Sequence, residues 1–307
     1  MNRPSMTRFP VAAMIGLAAS SLAAQPALAQ TPPPAVAPTL PGSGMVQPIP
    51  AIRPPVPIPP LSAAQEAWAN DWLKTGAAQG LMARQKRSGP LHGEALVNAM
   101  LDRAHALSTG RVDTADFLDI WALRPEKFDP RPGLAKAVSD DDLDRWANRL
   151  TPPWAGYETL RQGLARYEAI RDQGGWQSLS ASSSSDAIRK RIAMEDPSVS
   201  PDEKLADIIQ RAQRRYGLNP TGNLDARTLA ALNVGVDDRI AAIMANMERW
   251  RWMPRSLPVN RVQVNIAAAV LTLFEGDQPV TSMRAVTGSP DNQTPMLSSS
   301  IHSIVVN

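Results

Sequence analysis

The segment "MERWRW", Met247 to Trp252, sets Trp250 and Trp252 beside Arg249 and Arg251, and indoles flanked by guanidinium groups can stack on sugar rings or nucleobases. A helix explains the same letters by burying its tryptophans against a neighbouring domain while the arginines pair outside, and that is the reading adopted. Three histidines, His92, His105 and His302, could act as bases or metal ligands, but none stands at ligand spacing from another. Asp140, Asp141 and Asp142 form a carboxylate run better read as the first turn of a helix capped by Ser139, where negative charge meets the positive end of the dipole. There is no cysteine, so neither a thiolate nucleophile nor a cysteine-ligated metal is available, and no disulfide framework. No HExxH, GxSxG, Walker or dinucleotide fingerprint occurs. Local chemistry predicts no catalytic residue, no metal site and no cofactor.

The elements around these residues are mostly helical. From 61 to 194 the pattern is that of a helical scaffold domain. Ser62 is the expected N-cap of "AAQEAWANDWLK", and Leu96, Met100, Ala104 and Leu107 share one face. Leu160, Leu164 and Tyr167 align before Gly174 and Gly175 stop their helix, and "SLSASSSSD" at 178–186 reads as a surface loop. A compact unit over 198–235 follows. It puts Leu205, Ile208, Ile209, Ala212 and Tyr216 on one face, turns at "GLNPTGN", and caps a second short helix with Asp225 ahead of Leu229 and Leu232. So small a unit needs neighbours to pack on. A connecting helix over 236–254, capped by Asp237 and Asp238, carries Ile240, Ile243, Met244 and Met247. After Pro258 the period changes to alternation: Val262, Val264 and Ile266 against Arg261, Gln263 and Asn265, then two strands around "EGDQ". Three or four strands would make an open sheet with an uncovered apolar face.

The start of the chain reads as export machinery. Arg3 and Arg8 precede an apolar run of about 14 residues and the exit "ALA" at Ala27 to Ala29, which predicts a signal peptide over 1–29, too short for the roughly 20 residues of a membrane span. Residues 30–60 hold 12 of the 29 prolines and form a linker that favours extended polyproline II. Removing the signal takes the net charge from +3 to +1, which gives no argument for a nucleic-acid partner. The expected location is the periplasm, with no stable membrane span after cleavage.

The succession "YETLRQGLARYEAIRDQGGW", "AQRRYGLNPTGNLDARTLAALNV", "DDRIAAIMANMERWRWMP", "VQVNI", "VTGSPDNQTP" and "IVVN" resembles the scaffold-containing L,D-transpeptidases of Gram-negative cell walls. The likeness spans most of Leu61 to Asn307. It implies an α+β multidomain protein: a mostly α-helical scaffold, a small helical peptidoglycan-binding-like module, and an incomplete all-β catalytic domain over 259–307. Peptidoglycan is the implied partner, with Tyr216, Asn219, Gly222, Asp225 and Thr228 as the module's binding residues. Thr221 stands where the family commonly has aspartate, and Ala212 where it has phenylalanine. In that family a cysteine in a Ser-His-Gly-Cys motif is acylated by a stem peptide and passes it to a second stem, forming a 3-3 crosslink. The chain ends at Asn307 before any such motif, so it is expected to be a truncated member, inactive as it stands. His302 lies before the "VVN" word and is not the family's base; "QTP", Gln293 to Pro295, is a structural hint near the cleft. A non-catalytic wall-binding or scaffold protein is the alternative, and the open sheet edge offers a place for another chain to pair.

Overall fold

The computed structural model describes residues 54–81, 89–289 and 291–301. The expected signal peptide, most of the proline-rich linker, His302 and the "IVVN" word lie outside the described residues.

Helices α1 (Ala63–Lys74), α2 (Gly93–Thr109), α3 (Arg131–Asp140) and α4 (Leu143–Asn148) pack around Leu96, Met100, Leu107, Leu134 and Trp146. Ser62 caps α1 as expected: its hydroxyl accepts from the Gln65 amide, and the Gln65 side chain returns a bond to the Ser62 N–H. The Ser139 cap is corrected. Ser139 lies inside α3 and its hydroxyl donates to the Ala135 carbonyl. The helix stops two residues later because Asp141 turns left-handed, φ 52°, and accepts from the Gln65 amide on α1. Asp142 then becomes the N-cap of α4, so the aspartate run divides between a C-cap and an N-cap.

Helix α5 (Ala155–Asp172) leads to the polar tract, then to α6 (Ser185–Glu195), α7 (Leu205–Arg215) and α8 (Ala226–Leu232); α9 (Val236–Arg251) returns to lie along α5. Tyr157, Leu160 and Leu164 of α5 meet Ile240, Ile243 and Met247 of α9. Gly156 is required at this crossing, since a Cβ there would overlap the Trp250 indole. The tract at 178–186 is more ordered than its composition suggested. Leu179 is buried, its N–H and carbonyl are held by Asn233, and Ser184 caps α6. The cap of α9 is Gly235, with Asp237 and Asp238 in the first turn rather than at the cap.

Strands β1 (Arg261–Asn265), β2 (Val270–Glu275) and β3 (Gln278–Arg284) form an antiparallel meander. Gly276 and Asp277, both at positive φ, make the tight turn between β2 and β3 that matches strand twist. Among the described residues Val262, Val264, Val280 and Met283 are exposed, so the sheet has the uncovered apolar face its alternation implied. The Met296 carbonyl accepts from Ala122 and Leu123, and Arg255 donates to the carbonyls of Arg149, Leu150 and Thr151, tying this part to the helices. The fold is therefore α+β, mostly helical with a three-stranded sheet.

Candidate functional site

Helix α7 is strongly one-sided: Ile208, Ile209 and Ala212 are buried with Ile188, Ile192 and Leu232. Beside Ala212 lies Gln213, which is fully buried, a position that demands partners for all of its amide. Its Nε2 donates to Thr228 Oγ1 at 2.9 Å, Asn223 O at 2.9 Å and Thr221 Oγ1 at 3.1 Å, while its Oε1 accepts from the Gly222 N–H at 2.9 Å. One side chain thus ties the middle of the 219–225 loop to Thr228 in the first turn of α8. The helix ends in a Schellman arrangement: Gly217, φ 68°, donates to Arg214 O and Leu218 to Gln213 O. Asp225 caps α8 by accepting from Thr228 N at 2.7 Å, and this bond, first among the causes, holds its carboxyl below the usual range.

The five residues implied for peptidoglycan binding divide on this frame. Asn219 and Asp225 are exposed, Gly222 and Thr228 are buried, and Tyr216 is half-buried at the C-cap of α7. Gly222, φ 78°, has the Ala206 carbonyl and the Gln210 side chain close to where a Cβ would stand. Exposed Thr221, Asn223 and Arg227 join Asn219 and Asp225 along one polar edge of the loop and α8.

Tyr216 faces the rest of the protein instead. Its hydroxyl donates to Glu195 Oε2, and the hydroxyl of Tyr167 on α5 donates to Glu195 Oε1 at 2.7 Å. Arg191 donates to Glu195 at 2.8 Å and, through Nε, to the Leu232 carbonyl at 2.9 Å; the Arg239 guanidinium stands 3.5 Å from the carboxylate and 4.7 Å from the Tyr216 ring. Glu195 is 1% exposed, Arg191 2% and Arg239 5%. Burial pushes the Glu195 pKa up, but Arg191 and Arg239, with the two tyrosine hydroxyls, outweigh it and hold the carboxyl below 4.5. The same burial, then the Glu195 charge, raises the pKa of Tyr167 and of Tyr216. Four side chains from α5, α6, α9 and the end of α7 therefore meet at one carboxylate, which joins the small unit to its neighbours. Arg191 also lies 3.7 Å from the Trp176 ring.

The "MERWRW" segment is largely interior. Trp252 is buried against Phe117 and Trp121, and Trp250 packs with the α5–α9 core. The expectation that the arginines pair outside holds for exposed Arg249 but not for Arg251, which is buried and donates to the Gln79 carbonyl, Tyr157 Oη and Glu248. A bare charge on that face is avoided because both terminal guanidinium nitrogens meet acceptors, one of them the Glu248 carboxylate. Of the described histidines, His92 pairs with Glu66 at 2.8 Å and His105 with Thr109 at 3.0 Å. No group of three metal-ligating side chains occurs among the described residues. No described helix is long and apolar enough to cross a membrane.

Reasoning from sequence missed Gln213 and Glu195. The first had a readable signal, an amide beside Ala212 in an apolar stripe; the second had only the i,i+4 spacing to Arg191, since Tyr167, Tyr216 and Arg239 come from other elements.

Two known domain families match the chain. Residues 94–164 match the family described as a scaffold domain, and residues 196–232 match a peptidoglycan binding domain. No curated protein is similar enough to count as a match. A scaffold domain followed by a peptidoglycan-binding domain makes this a cell-wall-related protein with peptidoglycan as its partner.

Proposed function

We propose that the chain is an exported, periplasmic member of the L,D-transpeptidase family whose helical body holds the 198–235 module against peptidoglycan. The observation that supports this best is the order of the two domain matches, scaffold then peptidoglycan-binding, in front of the sequence words shared with that family. In this reading residues 1–29 direct export, 30–60 space the body from the membrane, 61–194 form the scaffold and 236–254 lead to the start of the catalytic domain at 259. The module meets the wall through the edge that carries Asn219 and Asp225, while Gly222 and Thr228 shape that edge and Tyr216 fixes its orientation through Glu195. Asn219 and Asp225 suit hydroxyls and amides of glycan or stem peptide, since one offers donors and acceptors and the other accepts only.

No cysteine occurs in these 307 residues, so no thioester acyl-enzyme can form on them, and they are expected to bind and position rather than to crosslink. The second reading is a non-catalytic wall-binding or scaffold protein, for which the scaffold and peptidoglycan-binding matches are the support. An outer strand, β1 or β3, is a place where another chain could add to the sheet. The deciding experiment is retention of the full chain on purified sacculi, with Asn219→Ala and Asp225→Asn as variants. Retention that both variants weaken supports the module as the wall contact. No retention of the folded wild-type chain would sink the proposal. Incubation with tetrapeptide muropeptides should yield no 3-3 dimers above a blank, and size-exclusion chromatography reports whether the sheet pairs with a partner.

A further inference from the structure

Trp68 and Trp72 lie one turn apart on α1 and stack, with 5.7 Å between ring centroids and 13° between ring planes. Both are only half-buried. With α4 and part of α2 they line a cavity of about 370 Å³, within the range of roughly 300–1,000 Å³ typical of small-molecule sites. Polar groups surround the aromatic pair: Asp71 beside the tryptophans, Asp144 and Asn148 on α4, Arg103 on α2, and Thr75, Gln79 and Thr151.

The aromatic pair is held before any ligand arrives. Trp146 packs against Trp72 at 5.5 Å, and the Arg103 guanidinium stands 4.8 Å from the Trp72 ring while donating to the Leu73 carbonyl and Thr75 Oγ1. Trp68 Nε1 donates to Asp144 Oδ1 at 2.9 Å, which sets the indole and leaves a second carboxylate oxygen on Asp144. An aromatic pair edged by carboxylates, threonine hydroxyls and the amides of Asn148 and Gln79 matches a sugar ring, whose C–H face is apolar and whose rim is all hydroxyls. Two carboxylates against one arginine, whose two terminal nitrogens already donate to Leu73 O and Thr75 Oγ1, oppose phosphate or nucleic acid.

We propose that this groove binds a pyranose ring of a glycan strand, as a second wall contact separate from the 198–235 module. The choice of polymer rests on the cell-wall reading; the site itself rests on α1 and α4. The test is calorimetric titration of the full chain with chitotetraose. Saturable binding is expected, weakened at least tenfold by Trp68→Ala and severalfold by Asp71→Asn and Asn148→Ala, which alter exposed rim groups, with thermal melting unchanged for the rim variants. Absence of saturable binding, or full-strength binding by folded rim and Trp68 variants alike, overturns the proposal. Saturable binding of tetralysine in place of chitotetraose also overturns it and gives the groove to a cationic peptide. Chitotetraose taken up by the module is lost in Asn219→Ala and kept in Trp68→Ala, while the groove's share is lost in Trp68→Ala and kept in Asn219→Ala, so failure of the groove and failure of the module are read on different variants.

Discussion

Replacing Glu195 with Gln keeps the size of the side chain and removes the one negative charge that Arg191 and Arg239 share. The two arginines stay buried at 2% and 5% exposure, so the cost is that of an uncompensated interior charge, about 3–5 kcal/mol on the scale of broken buried pairs. The amide can still accept from Tyr167 or Tyr216, which places the expected loss toward the lower end. Urea unfolding followed by tryptophan fluorescence reads it, since Trp176 lies against Arg191. With a slope of about 1–3 kcal/mol per molar urea, the midpoint should fall by at least about 1 M. The pH dependence gives an independent sign. Glu195 titrates below 4.5 in the folded chain, so its stabilisation is full above pH 4.5 and is lost as pH falls through the lower folded value. The wild-type chain should therefore lose stability below about pH 4.5 and the variant should lose less over that range. A midpoint shift under about 0.3 M, with an unchanged acid limb, would refute the assignment of Glu195 as the anchor.

Gln213→Leu should cost about 2–3 kcal/mol, because the Gly222 N–H and the Thr228 hydroxyl lose a buried partner, and hydrogen exchange at Gly222 should accelerate. Asp225→Ala removes the cap of α8 and should lower the thermal midpoint, whereas Asp225→Asn should leave it nearly unchanged and isolates any effect on sacculus retention. Gly156→Val should loosen the α5–α9 crossing, since its side chain must displace Trp250, and a red shift of the emission would report the indole's exposure. Arg255→Ala should speed proteolysis between 255 and 260 without melting the helices, because its three carbonyl acceptors join the β part to the end of α4.

Local order in this chain followed from spacing and short-range chemistry. The stripe Leu96, Met100, Ala104 and Leu107, the caps Ser62 and Asp225, and the change from helical to alternating period near 259 all depend on residues within a few positions of one another, where helix and strand geometry leave few options. Ser139 was read wrongly for a reason of the opposite kind: α3 ends where Gln65, more than seventy residues earlier, binds Asp141. The candidate site divides the same way. Its loop and the Asp225 cap could be read from "GLNPTGNLD", yet only packing decided that Gly222 and Thr228 lie beneath the surface and that Tyr216 turns to Glu195. Tryptophans make the contrast sharpest. "MERWRW" and "AWANDWL" carry equally suggestive letters, and the α5–α9 and Phe117–Trp121 contacts bury the first while α1 and α4 leave the second half open. Which face of a helix meets water is set by which other elements arrive there, and that depends on contacts between segments far apart in the chain, which local periodicity does not encode.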